Sequence, residues 1–170
     1  MTTTSPAPAT RAANRNEPAV STLSVILGAD HGGYALKEAI ATHLKQRGIP
    51  FEDIGAHSAD AVDYPDYAHQ VAGAVAAGSH PFGILCCTSG IGMSIAANRH
   101  PGVQASVVFD LEDAIQTRKH NDSNVLCLSG KKTDAASAKA IIQNRADAKL
   151  GNSTGPSVIW LANSAGAAKN

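Results

Sequence analysis

Net charge is what this chain most plainly lacks. Its 170 residues carry 14 Lys and Arg against 14 Asp and Glu, so there is no electrostatic footprint for nucleic acid or for an acidic membrane surface. Long apolar runs are missing as well. Residues 1–20 are mainly Thr, Ser, Ala, Pro and Asn with Arg11 and Arg15, and hold no segment that serves as a signal-peptide core or a membrane span. They read as a disordered extension; the lack of an acid before Glu17 also leaves an organelle transit peptide open. Cysteine is sparse. Cys86, Cys87 and Cys127 are an odd number inside apolar segments, with no Cys-x-x-Cys or Cys/His spacing that points to zinc, and a reducing, cytoplasmic compartment fits them. No internal repeat recurs. The length suits one domain with a real core and is short for two, so partners have to be argued from sites.

What is present is alternation. From Leu23 short β-rich runs alternate with helical patterns. Leu23 to Leu27 predicts a strand, after which Leu36, Ile40 and Leu44 recur at helical spacing until Gly48 supplies a stop. Phe51 to Ile54 is a second strand, and Pro65 opens a helix with Tyr67, Val71, Ala74 and Val75 on one face, closed by Gly78. Next come the strand Ile84 to Cys87 with a helix from Met93, the strand Ala105 to Phe109 and a helix from Leu111 to Lys119. The strand Val125 to Leu128 and a helix from about Asp134 complete a domain over 21–150, with a tail over 151–170. Strands separated by such helices imply right-handed βαβ units and a parallel sheet. Ligands bind outside the carboxyl ends of its strands. The candidate residues, from Asp30-His31-Gly32-Gly33 to His120-Asn121-Asp122, are all expected there.

Cys87 ends the apolar run Gly83-Ile84-Leu85-Cys86-Cys87 and is followed at once by Thr88-Ser89-Gly90-Ile91-Gly92. A thiol, backbone N–H groups and a helix N-terminus in one place stabilise a thiolate and an anionic substrate together. The other reading is two buried cysteines closing a core strand. The turn over Thr88, Ser89, Gly90, Ile91 and Gly92 is also a candidate cradle for an enediolate or carbonyl oxygen. Two rival chemistries fail on spacing. A cysteine phosphatase loop wants Arg six residues after the thiol, where Gly92 and Met93 stand, and a dinucleotide fingerprint wants a third glycine where Met93-Ser94-Ile95 follows.

Asp30 and His31 offer a carboxylate for proton relay and an imidazole for a phosphate or hydroxyl; an Asp helix cap and a solvated His are the alternative. His120 is either a site residue or a helix C-terminal histidine interacting with the dipole. Tyr64 either packs over a sugar ring or is a turn tyrosine before Pro65. Lys131-Lys132 is a solvated pair or a phosphate contact. His43, His57, His69, His80 and His100 lack such context and are expected on the surface.

Taken together, Asp30-His31-Gly32-Gly33, Asp63-Tyr64-Pro65, Cys87 with Gly90-Ile91-Gly92, Ser94-Ile95-Ala96-Ala97-Asn98 and His120-Asn121-Asp122-Ser123-Asn124-Val125-Leu126 resemble the type B ribose-5-phosphate isomerase family. That family includes galactose-6-phosphate and related isomerases, and the resemblance runs in order from about Leu23 to Ile142. It implies a three-layer Rossmann-like, flavodoxin-like, doubly wound parallel sheet of about five strands, and a metal-independent, cofactor-free aldose–ketose isomerase. A homodimer, or dimer of dimers, with sites between subunits is implied too. On this resemblance Cys87 is the general base that moves a proton between C1 and C2 through a cis-enediol. Ser89 stands beside the developing oxyanion, His120 opens the furanose ring, and Asp30 assists proton exchange at the oxygens. His31, Asn121 and Lys131 fall on substrate and phosphate contacts.

There are departures. Thr88 stands where the family has Gly, Lys131 where it has Arg, and no arginine follows Arg145 where the family ends in a phosphate-gripping segment. The resemblance makes ribose 5-phosphate to ribulose 5-phosphate the expected reaction. The alternatives are the same mechanism on a four- or six-carbon sugar or sugar phosphate, and a catalytically weak sugar-phosphate binder.

Overall fold

The structure is a computed structural model that describes residues 24–143. The extension over 1–20, Leu23 and the tail over 151–170 lie outside the described residues. Five strands, β1 (Val25–Ala29), β2 (Phe51–Asp53), β3 (Phe82–Cys87), β4 (Ala105–Val108) and β5 (Val125–Ser129), alternate with five helices. These are α1 (Tyr34–Gln46), α2 (Tyr64–Ala76), α3 (Ile91–Ala97), α4 (Leu111–Asn121) and α5 (Ala135–Gln143).

The strands form one sheet in the order β2-β1-β3-β5-β4, with every pairing parallel. The expected three-layer doubly wound sheet is what the chain forms. Side chains alternate across each strand. Leu27, Ile84, Cys86, Leu126 and Leu128 accordingly face Leu36, Ile40 and Leu44 of α1, Ala114 of α4 and Ile141 of α5. Ile26, Leu85, Cys87, Val125 and Cys127 face Ala68, Val71 and Val75 of α2 and Met93 and Ala97 of α3. The flavodoxin order runs 2-1-3-4-5; here β4 takes the edge and β5 is inserted beside β3. Asn98 holds that edge strand, its side-chain amide meeting both backbone groups of Ala105 at 2.8 Å.

The first strand begins and ends two residues later than its apolar run suggests. Gly28 belongs to it because a Cβ there would come within 2.9 Å of Val71 Cγ2, so the glycine lets α2 lie close on the sheet. Gly48 (φ +65°) and Gly78 (φ +74°) take the left-handed conformation just past α1 and α2, as their stop signals require. His43 corrects the surface expectation. It lies on the buried face of α1 with 5% of its surface exposed. Burial first, then the charges of Arg47 and Lys139, hold it below the ordinary histidine pKa.

Candidate active site

The helices that follow β1 and β3, α1 and α3, lie on opposite faces of the sheet. A doubly wound sheet therefore opens its crevice where β1 and β3 part, at their carboxyl ends. Asp30 stands there, 6% exposed, its N–H donating to Cys86 O at 3.1 Å and its Oδ1 accepting from Gly33 N at 2.9 Å. The two glycines after His31 are what let this loop settle onto β3. A Cβ on Gly33 would lie 2.1 Å from Cys86 O, and one on Gly32 2.0 Å from Thr88 Oγ1. Gly130, after β5, has the same constraint, with Gly32 O 2.2 Å from its would-be Cβ. Three loops from three strands thus meet backbone to backbone.

Cys87 closes β3 with only 4% of its surface exposed, and Gly90 N donates to its Sγ at 3.0 Å. Gly90 adopts φ +79°, which turns that N–H back toward the sulfur. A backbone N–H aimed at sulfur favours negative charge there. Ser89 accepts from Ile91 N at 3.2 Å, so the backbone N–H groups of this turn are partly engaged from within, by the sulfur and by the serine hydroxyl. The other thiols are unsuited to the role. Burial pushes Cys86 and Cys127 well above the ordinary thiol range.

Around this centre the rim residues fall where their loops put them. His31 is exposed, its Nδ1 3.3 Å from both the carbonyl and the amide of Val62. Tyr64 begins α2 and its ring rests on Gly92, where an added Cβ would lie 2.9 Å from Tyr64 Cζ. Thr88 O accepts from Ser129 Oγ at 2.8 Å and from Lys131 N at 3.3 Å, and Gly130 N donates to Cys87 O at 2.8 Å. Lys131 therefore stands on the same rim as Cys87, exposed to solvent.

His120 and Asn121 do not. They end α4, which returns the chain from β4 and so finishes at the amino end of β5. Val125 is level with Gly83 and Ser129 with Cys87, which puts the start of β5 about 13 Å along the strands below the thiol. The expectation that every candidate lies at the carboxyl ends is corrected for these two. In one chain Asp30, Cys87, Ser89 and Lys131 are brought together and His120 and Asn121 are held apart.

Two further features escaped the sequence reading. Ser129 and Gly130 lock the turn after Cys87 to the end of β5. Lys37 of α1 is 1% exposed, yet its ammonium reaches Asp53 at 2.5 Å and Glu38 at 2.8 Å. Burial opposes that charge, but the hydrogen bonds to Asp53 and Glu38 outweigh it and raise the Lys37 pKa. Asp53 in turn accepts from Gly55 N at 2.9 Å, and Gly55 O accepts from Ala29 N at 2.6 Å, next to Asp30. The signal for Lys37 was legible: it keeps helical spacing with Ile40 and Leu44 on the buried face.

Among the described residues no helix is long and apolar enough to cross a membrane. The model of the ribose/galactose isomerase family matches residues 25–154. Over 127 residues the chain is 43% identical to ribose-5-phosphate isomerase B of Escherichia coli strain K12, covering 75% of this chain and 83% of that protein. The solved structure of type B ribose 5-phosphate isomerase from Trypanosoma brucei is 47% identical, with a TM-score of 0.67, over 71% of this chain and 82% of that one. The ribose-5-phosphate isomerase B structure from Clostridium thermocellum is 43% identical, with a TM-score of 0.69, over 70% and 80% of the two chains.

Proposed function

The chain belongs to the ribose/galactose isomerase family, and on that footing we propose that it interconverts ribose 5-phosphate and ribulose 5-phosphate with Cys87 as the general base. The observation that carries this reading is the Cys87 sulfur, buried at the crevice between β1 and β3 with Gly90 N donating to it and Asp30 on the adjoining loop. In the open-chain aldose the sulfur takes the proton from C2, and the electron pair forms the C1–C2 double bond of a cis-enediol. The same proton then returns to C1 and leaves the ketose. Asp30 passes the proton between O2 and O1, and Ser89 donates to the oxygen on which charge develops. Every hydrogen stays within the sugar and the two acid–base groups.

His31 and Lys131 hold the phosphate from the rim, and Tyr64 flanks the sugar. Thr88, whose Oγ1 leans on Gly32, narrows the mouth beside the base and favours a different sugar as a second reading. His120, which opens the furanose ring, and Asn121 reach a Cys87 site from a second copy of the chain. That homodimer is supported by their place at the far end of the sheet. It is supported also by Ile91 and Ile95, one turn apart on α3 and 53% and 54% exposed, with Tyr64 and Phe109 exposed as well. The three free thiols support a reducing, cytoplasmic setting.

The test is a coupled isomerase assay over four-, five- and six-carbon aldoses, with and without phosphate, on the parent and on Cys87→Ala. Ribose 5-phosphate should turn over fastest and the variant should lose that activity. Preferred turnover of another sugar, or a parent without turnover, overturns the assignment. Sedimentation should give twice the chain mass.

A further inference from the structure

Three hydroxyls, from β4, α4 and the connection before β5, close into a ring beneath the end of α4. Thr117 Oγ1 donates to Ser106 Oγ at 2.5 Å, the Ser106 and Ser123 oxygens are 2.6 Å apart, and Ser123 and Thr117 are 2.7 Å apart. The proton order is consistent all the way round: Thr117 gives to Ser106, Ser106 to Ser123, and Ser123 back to Thr117. Ser123 is fully buried and Thr117 9% exposed, so water cannot readily replace a missing member. Each bond polarises the next, and deletion of one hydroxyl leaves the other two short of a partner.

Thr117 and Ser123 are the two feet of an arch whose span is Arg118 to Asp122. That span is fastened from both sides. Arg118 Nη1 donates to Ser123 O at 2.6 Å and pairs with Asp122 Oδ1 at 2.8 Å. With its amide nitrogen turned toward the helix end, Gln104 donates to Asn121 O at 2.8 Å and to Asp122 O at 2.7 Å. Asp122 takes a left-handed φ of +51°, which lets the chain reverse into β5. His120 and Asn121 sit in this braced span with exposed side chains. The backbone beneath them is tied down while they face outward.

We propose that the Ser106–Thr117–Ser123 hydroxyl ring, braced by Arg118 and Gln104, is a positioning device that orients His120 for ring opening. The inference rests on the role given to His120 above. A group displaced by about 1 Å from its working geometry loses on the order of a hundredfold in rate, so a braced arch has a kinetic consequence as well as a structural one.

Ring opening has a kinetic signature of its own. An enzyme that opens the furanose converts ribose 5-phosphate in proportion to enzyme concentration. One that has lost the step depends on spontaneous opening, and its rate levels off as enzyme is added. Ribulose 5-phosphate, with its C5 oxygen esterified, cannot close to a furanose, so its saturating turnover reads the isomerisation alone. We expect Thr117→Val to level off, about tenfold below the parent at high enzyme, while ribulose 5-phosphate turnover stays within about twofold. Thr117→Ser should restore proportionality. A folded Thr117→Val that stays proportional, or that loses both directions equally, overturns the positioning role. Levelling in His120→Asn without levelling in Thr117→Val overturns the ring alone; proportional rates in His120→Asn overturn the role of His120 and this inference with it. Should Thr117→Val fail to fold, Ser106→Ala on the edge strand is read by the same criteria.

Discussion

Cys86 and Cys87 are consecutive in β3 and buried in different cores, Cys86 with residues of α1, α4 and α5 and Cys87 with residues of α2 and α3. Among the described residues, only the second is met by a backbone N–H, from Gly90. Cys87→Ala should therefore lower isomerisation at least about a hundredfold, the usual worth of general-base catalysis. Cys86→Ala should cost stability, on the order of 1 kcal/mol for a small buried group, and leave turnover near the parent's. Paired kinetics and urea melts on the two variants decide it; comparable turnover in Cys87→Ala and the parent ends the thiolate reading.

Two glycines of α1's flanks separate steric from conformational cost. At Gly33 an added methyl group meets Cys86 O at 2.1 Å, and this backbone atom cannot swing aside. Gly33→Ala should cost several kcal/mol, more than about 3, and displace Asp30 from Cys87. Gly48→Ala meets nothing within 4 Å at φ +65°, so its cost should be only the left-handed strain, about 1 kcal/mol. Chemical denaturation of both measures the difference, and equal losses would show that the loop yields at Gly33.

Lys131 tests the phosphate grip. A single ammonium lacks the two-pronged geometry of a guanidinium, so the parent should have a high KM for ribose 5-phosphate. Lys131→Ala should raise it by about fivefold to tenfold with kcat little changed, as loss of one solvent-exposed hydrogen bond worth about 1 kcal/mol implies. Added salt should raise the parent's KM more than the variant's, since the Debye length at 0.1 M is about 10 Å. A tight, salt-insensitive KM unchanged in Lys131→Ala would place the anion site elsewhere.

His43 should make the fold acid-sensitive. Its pKa is lowered in the fold by burial, Arg47 and Lys139, so the unfolded chain binds its proton first as pH falls. Stability from this group is complete above the ordinary histidine value, about 6.5, and declines as pH drops below it, until the folded form also protonates. His43→Leu removes that decline. Thermal melts from pH 7 to pH 5 should show the variant gaining on the parent; parallel curves would mean that His43 is not held neutral.

Much of this was readable along the chain because it is local. The two-residue period of a strand separates Cys86 from Cys87, a helical period picks out Leu36, Ile40 and Leu44, and Gly48 and Gly78 end helices by the one conformation that other residues resist. The identity and order of Asp30, Cys87 and Ser89 were likewise enough to point to proton transfer at the end of a strand.

What the linear order could not decide is which edge of the sheet a crossover reaches. Nothing near β4 or β5 signals that β5 enters between β3 and β4, because a right-handed crossover packs equally well over one strand or two. The locking of Gly32, Thr88 and Gly130 and the ring of Ser106, Thr117 and Ser123 follow from that choice. So does the distance between His120 and Cys87. Residue types determine which groups can take up or release a proton, whereas the pairing of distant strands determines which of them meet within one chain.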